Sequence, residues 1–483
     1  MHLHTSLYTI NVKMKNSNRY FLMHGYTGAI DIVQEKVAKF LKRGEGYNCS
    51  DGSQISQETI DLLKERGYLT YLSPTEEKNV VKKIAENIFK LNKIKNSFLF
   101  LVTYDCNFRC PYCFENEISG SGKAWSKKVV AKELVDKAYE VMLQIQPDRN
   151  RHQNNITLYG GEPLLLDNYE IVSYIVNKGI DSGYVFNAIT NGYDLNYYDE
   201  LLKPGKIETV QITIDGIPEV HDKRRIHSQA KNTFYNILKN VEQILRNGIK
   251  VIVRVNIDSS NINVLSKLSD LFCQRGLDKL PNFKIYSALV RGNNEAIACN
   301  AVMTRKAKEV FEISKNHLAK NATYENISRK DYTNECYDLM GQNDYVIACQ
   351  DLGLKVKIKQ LINSKKMAFQ TEFCGAQTGM YIFDPYGDLY TCWEVVGMDE
   401  QKVGRYDNGL EIAENEILKW QGRNITTVEA CSKCKYAFFC GGGCEAHALF
   451  EGKGHRASFC DSFPKVFQKV LSESYDDFSF KND

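Results

Sequence analysis

Residues 97–113 read SFLFLVTYDCNFRCPYC: an apolar run, then three cysteines spaced CxxxCxxC. The run has the composition of a buried β-strand. The loop behind it carries Cys106, Cys110 and Cys113. Three thiolates so close together can hold three irons of a cubane 4Fe-4S cluster, leaving the fourth iron free to bind something that is not protein. That open iron implies chemistry, not scaffolding. Zinc sites prefer paired CxxC groups, and one such group follows much later in the chain.

Outward from this strand, one unit repeats from about Ser97 to Val290: a short apolar run, then an amphipathic helical stretch. Strands are predicted at SFLFLVT, ITLY, VFNAIT, VQITI, VIVRVNI and FKIYSALV. Helical patterns lie between them, at VVAKELVDKAYEVMLQI, YEIVSYIVNKGI, TFYNILKNVEQILRNG and NVLSKLSDLFCQRG. This alternation is the signature of βαβ units and a parallel sheet, and six strands suggest a partial (β/α)6 TIM barrel of the α/β class over 97–300. In parallel α/β folds ligands sit at the C-terminal ends of the strands. The special residues fall there: CNFRCPYC follows the first strand, GGEP the second, NG the third and DG the fourth.

The chain has 483 residues, enough for two or three domains with substantial cores. A net charge of +3, from 62 basic and 59 acidic residues, gives no electrostatic reason to propose nucleic acid or a membrane as principal partner. The N-terminus lacks a signal-peptide pattern, and no segment supplies an uninterrupted apolar span. A cytoplasmic protein is expected, and in that reducing compartment 15 cysteines clustered toward the C-terminus favour metal or cluster ligation over disulfides.

Residues 1–75 read differently. Strand-like SLYTINVKM and RYFLMHGYTGAIDIV precede two short helices, VQEKVAKFLKRG and SQETIDLLKERG, and a final YLTYL. That is a winged-helix layout, suited to docking a peptide at a sheet edge or to reading DNA. Neither helix is especially basic, which disfavours DNA. A linker helix is predicted over 76–96, a helical linker over 301–370 and a cysteine-dense domain over 371–483.

Gly160, Gly161, Glu162 and Pro163 follow a strand directly, so that two glycines let a ligand approach the backbone while the glutamate offers a fixed anion to an ammonium group. The CxxxCxxC loop, this GGEP, TIDG at 213–216 and HDKRR at 221–225 together resemble the radical S-adenosylmethionine superfamily. The resemblance implies that the open iron chelates the amino and carboxylate groups of S-adenosylmethionine. It implies Tyr112 near the adenine, Glu162 and the glycines on the methionine ammonium, Thr213 on the ribose and Arg225 on the methionine carboxylate. Guanidinium binds carboxylate well, which agrees with the last role. Asn191 and Asn256, at strand ends, and Tyr286, on the sixth strand, are further candidates beside ordinary roles in turns and packing.

The later cysteines extend the resemblance. Cys374, Cys392, Cys431, Cys434, Cys440, Cys444 and Cys460 are similar to the seven-cysteine SPASM extension that carries two auxiliary 4Fe-4S clusters, three clusters in all. A zinc ribbon on the CxxC pair would need four ligands and leave three cysteines unexplained. The family's interleaved pattern implies Cys374, Cys392 and Cys444 for the first auxiliary cluster, and Cys431, Cys434, Cys440 and Cys460 for the second. Sulfatase-maturing members have a further cysteine between the positions of Cys374 and Cys392 and an aspartate after the latter; here the interval is cysteine-free and Trp393 follows, which argues against sulfatase maturation. Either Cys349 or another distant cysteine completes the first auxiliary set, or a substrate thiol does, the open site being the preferred reading. Cys49, Cys273, Cys299 and Cys336 read as ordinary buried thiols.

The N-terminal layout resembles the recognition element that grips leader peptides in maturases of ribosomally made peptides. The expectation is therefore an N-terminal winged-helix recognition domain, a partial barrel and a C-terminal SPASM iron-sulfur domain. Its implied partners are a precursor peptide and a one-electron donor such as flavodoxin or ferredoxin. A 5'-deoxyadenosyl radical would abstract a hydrogen from the peptide, leading to a cysteine thioether as in sactipeptide or ranthipeptide maturases. Other radical modifications, such as a carbon-carbon crosslink or side-chain oxidation, are the alternative within this chemistry. A non-catalytic iron-sulfur regulator would have no use for GGEP or Arg225, and an electron-transfer protein would not need an open iron. No residue stands out as a general base beyond the cluster and cofactor ligands.

Overall fold

The structure, a computed structural model, describes residues 2–15, 17–42, 55–93, 95–113, 115, 126–257, 261, 264–289, 369–460 and 463–473. The linker predicted over 301–370 lies outside the described residues except for Phe369 and Gln370.

The N-terminal unit contains β1 (His4–Thr5), β2 (Thr9–Lys13), β3 (Arg19–His24), β4 (Ile30–Gln34), α1 (Glu35–Lys42), α2 (Gln57–Glu65) and β5 (Leu69–Thr70). Strands β2, β3 and β4 form an antiparallel sheet with β3 in the centre, and β1 pairs with β5. The stretch from Arg19 to Val33 is a hairpin that turns between His24 and Ile30. Both helices lie where their apolar periodicity put them, and Phe40, Leu41, Ile60 and Leu63 pack with Leu22 and Tyr68.

Helix α3 (Pro74–Asn92) begins where Ser73, Pro74 and Glu76 dictate. The Ser73 hydroxyl takes the Glu76 N–H, the Glu76 carboxylate returns to the Ser73 N–H, and Pro74 occupies the first turn, where no N–H is needed. One turn in, buried Glu77 accepts hydrogen bonds from Ser6 Oγ, Leu7 N (3.0 Å) and Tyr26 Oη (3.2 Å), so the helix is fastened to the N-terminal unit.

The six predicted strands are present as β6 (Asn96–Leu101), β7 (His152–Tyr159), β8 (Val185–Thr190), β9 (Ile207–Thr213), β10 (Lys250–Ile257) and β11 (Phe283–Leu289), all parallel. Helices α4 (Lys132–Ile145), α5 (Tyr169–Asp181), α6 (Pro218–Arg224), α7 (Phe234–Arg246) and α8 (Leu265–Gln274) connect them. Of these, α6 was not predicted; it presents the HDKRR segment. Cys273, expected to be buried, is exposed on α8. Cys49, Cys299 and Cys336 lie outside the described residues.

The sheet does not stop at β6. Strand β12 (Met380–Phe383) lies parallel beside it, Tyr381 opposite Phe98, and β13 (Asp388–Tyr390), β14 (Gly404–Arg405) and β15 (Glu411–Ile412) follow antiparallel. The reason is burial. From Phe98 to Leu101 every β6 residue is buried, so an open β6 edge would expose a strand that is apolar on both faces. Phe383 packs against Phe98 and Phe100, which joins the cysteine-dense domain to the parallel sheet through one core. Among the described residues no helix is long and apolar enough to cross a membrane.

Candidate functional site

The loops that leave β6, β7, β8 and β9 meet over one end of the sheet, held together mainly by backbone. Gly161 N donates to Thr103 O (2.9 Å) and Glu162 N to Asp105 O (2.8 Å). A Cβ on Gly160 would stand 2.3 Å from Thr103 O, and one on Gly161 2.4 Å from Asp105 O. The two glycines were read as room for a ligand. The atoms that approach them are the main chain of the cysteine loop.

That loop is pinned on its other side as well. Arg109 N donates to Ile226 O (2.6 Å) and Ser228 N to Asn107 O (2.8 Å), while the Phe108 ring sits edge-on to His227 at 5.1 Å. Asn191 Nδ2 donates to Asn107 Oδ1 (2.7 Å), which ties in the loop after β8. Cys106, Cys110 and Cys113 thus ride on a fixed frame. Burial pushes all three thiols up, Cys113 to about 12, and each of Cys106 and Cys113 also feels the charge of Cys110. Buried thiols of this kind ionise when a metal's positive charge compensates them.

Glu162 is fully enclosed. Its carboxylate accepts from Leu164 N (2.9 Å), Thr190 Oγ1 (2.6 Å) and Asn191 N (2.6 Å). Burial still wins over these donors and lifts its pKa to about 7. A cation placed beside it would reverse that shift. Pro163 is buried, its carbonyl accepting from Asn168 Nδ2 at 3.2 Å.

Across from the cysteine loop lies a charged cluster centred on Asp215, which the sequence reading passed over. Tyr112 Oη donates to Asp215 Oδ2, Asn256 N donates to Asp215 Oδ1 (2.9 Å), and Arg224 Nε stands 3.6 Å from Asp215 Oδ2. Arg225 Nη1 donates to Tyr112 Oη at 3.0 Å. Asp215 is fully buried, and burial raises its pKa against the opposing charge of Arg225. The signal for it was available: it is the aspartate of the TIDG quoted for Thr213. Among the described residues Arg225 Nε is buried with no hydrogen-bond partner, a donor left for an anion.

Thr213 ends β9, half-buried, opposite Arg254. The Asn256 carbonyl accepts from Arg224 Nη2 (3.3 Å) and Asn261 Nδ2 (2.8 Å), a structural engagement at the end of β10. Tyr286 Oη donates to Gln211 Oε1 at 2.8 Å, so its hydroxyl is used across the sheet.

The seven later cysteines fall into two groups. Cys392 lies in the field of Cys374 and Cys444, and Cys374 in that of Cys444. Cys374 keeps an exposed edge, yet the protein packed around it pushes its thiol up to about 12. Separately, Cys431 feels Cys440, Cys434 and Cys460, and Cys440 feels Cys460 and Cys434. Among the described residues no three of these side chains converge as ligands of a single ion. A cube-shaped cluster does not ask for such convergence, because its thiolates bind separate irons. The donor chemistry of all three groups, thiols alone, suits iron-sulfur ligation. Cys349 lies outside the described residues.

Between the two later groups runs Cys440-Gly441-Gly442-Gly443-Cys444. All three glycines have positive φ (69°, 89° and 74°), and a Cβ would stand 2.3 Å from Glu372 O at Gly441 and 1.8 Å from Phe459 O at Gly443. Only glycine fits this bridge.

Residues 100–263, the segment carrying the first cysteine group, match the model of the Radical SAM superfamily. The cysteine-type anaerobic sulfatase-maturating enzyme of Clostridium novyi (strain NT) is 22% identical over 76% of this chain and 93% of its own length. The radical SAM cyclopropyl synthase TigE of Paramaledivibacter caminithermalis (strain DSM 15212 / CIP 107654 / DViRD3) is 20% identical over 98% of this chain and 97% of its own. A solved structure of native anSMEcpe with bound AdoMet superposes with a TM-score of 0.53, at 16% identity, over 79% of this chain and all of that one. That likeness is one of fold.

Proposed function

We propose that this chain is a radical S-adenosylmethionine peptide maturase of the SPASM type that closes a cysteine thioether in a ribosomally made precursor. The observation that carries the reading is the grouping of ten cysteines into three sets, one of them on the radical SAM segment. Cys106, Cys110 and Cys113 would hold the first cluster. Cys374, Cys392 and Cys444 would hold a second, and Cys431, Cys434, Cys440 and Cys460 a third.

When bound, a reduced cluster and S-adenosylmethionine supply a carbon-centred radical that removes a hydrogen atom from the substrate. The chain's own residues position and shield. Glu162, whose buried carboxylate gains from a neighbouring cation, receives the methionine ammonium. Arg225, with Nε unspent, receives the methionine carboxylate. Asp215 holds Arg224 and Tyr112 in place for that purpose, and Gly160, Gly161 and Pro163 set Glu162 against the cysteine loop. Tyr112 would lie near the adenine and Thr213 would contact the ribose, with Asn191, Asn256 and Tyr286 as further candidate contacts. The first auxiliary set, Cys374, Cys392 and Cys444, would take a substrate cysteine as its next ligand, the alternative being Cys349 or another distant cysteine of the chain. A leader peptide adds a strand at β4, the edge of the N-terminal sheet order β2-β3-β4.

The test is anaerobic incubation of reconstituted protein with S-adenosylmethionine and a short cysteine-containing peptide encoded beside it, read by mass spectrometry and thiol alkylation. Loss of two hydrogens with one thiol no longer alkylatable is the expected result. Cleavage of S-adenosylmethionine that survives Cys106→Ala would sink the cluster assignment. Loss of two hydrogens with every thiol still alkylatable would favour a carbon-carbon bond or a side-chain oxidation. This second reading draws support from the cyclopropyl synthase aligned over nearly the whole chain, since closing such a ring makes a carbon-carbon bond.

A further inference from the structure

Arg423 is fully buried, and its hydrogen bonds go to main-chain carbonyls instead of a carboxylate: Nη1 to Gly443 O (3.0 Å), Nη2 to Gly442 O (2.9 Å) and to Ala457 O (2.9 Å). Among the described residues its Nε is buried with no hydrogen-bond partner. A guanidinium so placed is costly unless negative charge stands near it; buried Glu445 is one such charge in its field, and cluster thiolates would add to it. The loop it grips is the glycine bridge between Cys440 of one thiol group and Cys444 of the other. A Cβ on Gly442 would lie 3.5 Å from Arg423 Nη1 and 3.7 Å from Cys431 Sγ, so the cation and that thiol flank the same glycine. The third carbonyl belongs to Ala457, on the segment that leads to Cys460.

We propose that Arg423 is a charge-setting positioning residue shared by the two auxiliary clusters, a buried fixed cation that raises both of their reduction potentials. This rests on the three-cluster reading above. A cluster with its thiolates is anionic and becomes more so on reduction, so a nearby cation inside the protein favours the reduced form. Arg423 touches the path between both groups: it holds the carbonyls of Gly442 and Gly443, which link Cys440 of one group to Cys444 of the other, and Cys431 Sγ flanks the same Gly442. The cation thereby couples the electron affinity of the two clusters to one side chain, through the loop that spaces them.

The test uses the full-length reconstituted chain carrying Cys106→Ala, Cys110→Ala and Cys113→Ala, so that only auxiliary signals remain. Iron and sulfide content and redox-poised electron paramagnetic resonance are measured with Arg423 intact and as Arg423→Gln and Arg423→Lys. The expected result is a fall of both midpoint potentials in Arg423→Gln and potentials near those of the parent in Arg423→Lys. Loss of auxiliary iron in Arg423→Gln with full iron and parental potentials in Arg423→Lys supports the same role of charge. Unshifted potentials in Arg423→Gln overturn the proposal. So does equal failure of both variants, because lysine cannot reproduce a three-carbonyl grip and a purely structural clamp predicts that outcome. Absence of iron and sulfide from the parent's C-terminal domain overturns the three-cluster reading itself, and this proposal with it.

Discussion

Gly161→Ala tests whether the GGEP loop serves the cysteine loop as well as the ligand. The added Cβ would stand 2.4 Å from Asp105 O and 2.5 Å from Tyr104 O, where ordinary contact begins at 3.4 Å. The obstacle is backbone, which cannot swing aside like a side chain. The two loops must therefore part by about 1 Å, which stretches hydrogen bonds of ordinary length beyond the reach of N–H···O geometry. The bonds at risk are Gly161 N to Thr103 O and Glu162 N to Asp105 O. Each contributes about 1 kcal/mol, and a buried group left unpaired adds about 1–3 kcal/mol. A loss of about 3–5 kcal/mol in folding stability follows, above the about 1–3 kcal/mol typical of overpacked cores.

The functional loss should be larger in proportion, because displacement of a reacting group by about 1 Å costs about a hundredfold in rate. Guanidinium unfolding and the rate of S-adenosylmethionine cleavage check both figures, with iron content measured alongside. A Gly161→Ala protein within about 0.5 kcal/mol of the parent, the scatter of neutral surface substitutions, with unchanged cleavage would show that the loops do not depend on this approach.

Glu162→Gln removes the charge offered to the ammonium and presents an amide to the Asn191 N–H; binding of S-adenosylmethionine, read by calorimetry, should weaken about 10- to 100-fold, the worth of a charged hydrogen bond. Because burial raises the Glu162 pKa to about 7, the folded protein keeps a proton there that the unfolded chain releases. Ligand-free stability therefore falls as pH rises from the ordinary carboxylate range to neutrality, and this slope should vanish in Glu162→Gln. Asp215→Asn removes the anion between Tyr112 and Arg224 and should weaken cofactor binding about tenfold, about 1.4 kcal/mol, without reducing iron content. Glu77→Ala strands the donors of Ser6, Leu7 and Tyr26 and should cost about 2–4 kcal/mol, visible as earlier unfolding and faster proteolysis of the N-terminal unit.

The six parallel strands and their loops were legible because each is a local pattern: an apolar run, a turn, an amphipathic helix. Gly160 and Gly161 were legible as glycines that something approaches, but what approaches them is a loop some fifty residues earlier in the chain, and no local pattern names such a partner. Asp215 stood inside a quoted motif and was passed over, since its role appears only when α6 brings Arg224 and Arg225 to the cysteine loop. Arg423 carried no signal at all. The run of three glycines beside it did, because consecutive glycines between two cysteines mark a backbone path closed to other residues.

The pairing of β12 with β6 was the least legible element and has the widest consequence. Its four residues, MYIF, are all buried, and alone they could belong to any core strand. Placed beside β6, they fix the cysteine-dense domain to the strand that feeds the CxxxCxxC loop. Tyr104 Oη, at the start of that loop, donates to Asp384 Oδ2 (2.9 Å) just after β12, and Asp384 Oδ1 takes the N–H groups of Tyr386 and Asp388 in the turn to β13. Cys374 precedes this hairpin and Cys392 follows it. The first two thiol groups therefore share one hydrogen-bonded frame instead of two domains joined by a linker. A substrate that reached from one to the other would meet a separation set by sheet register.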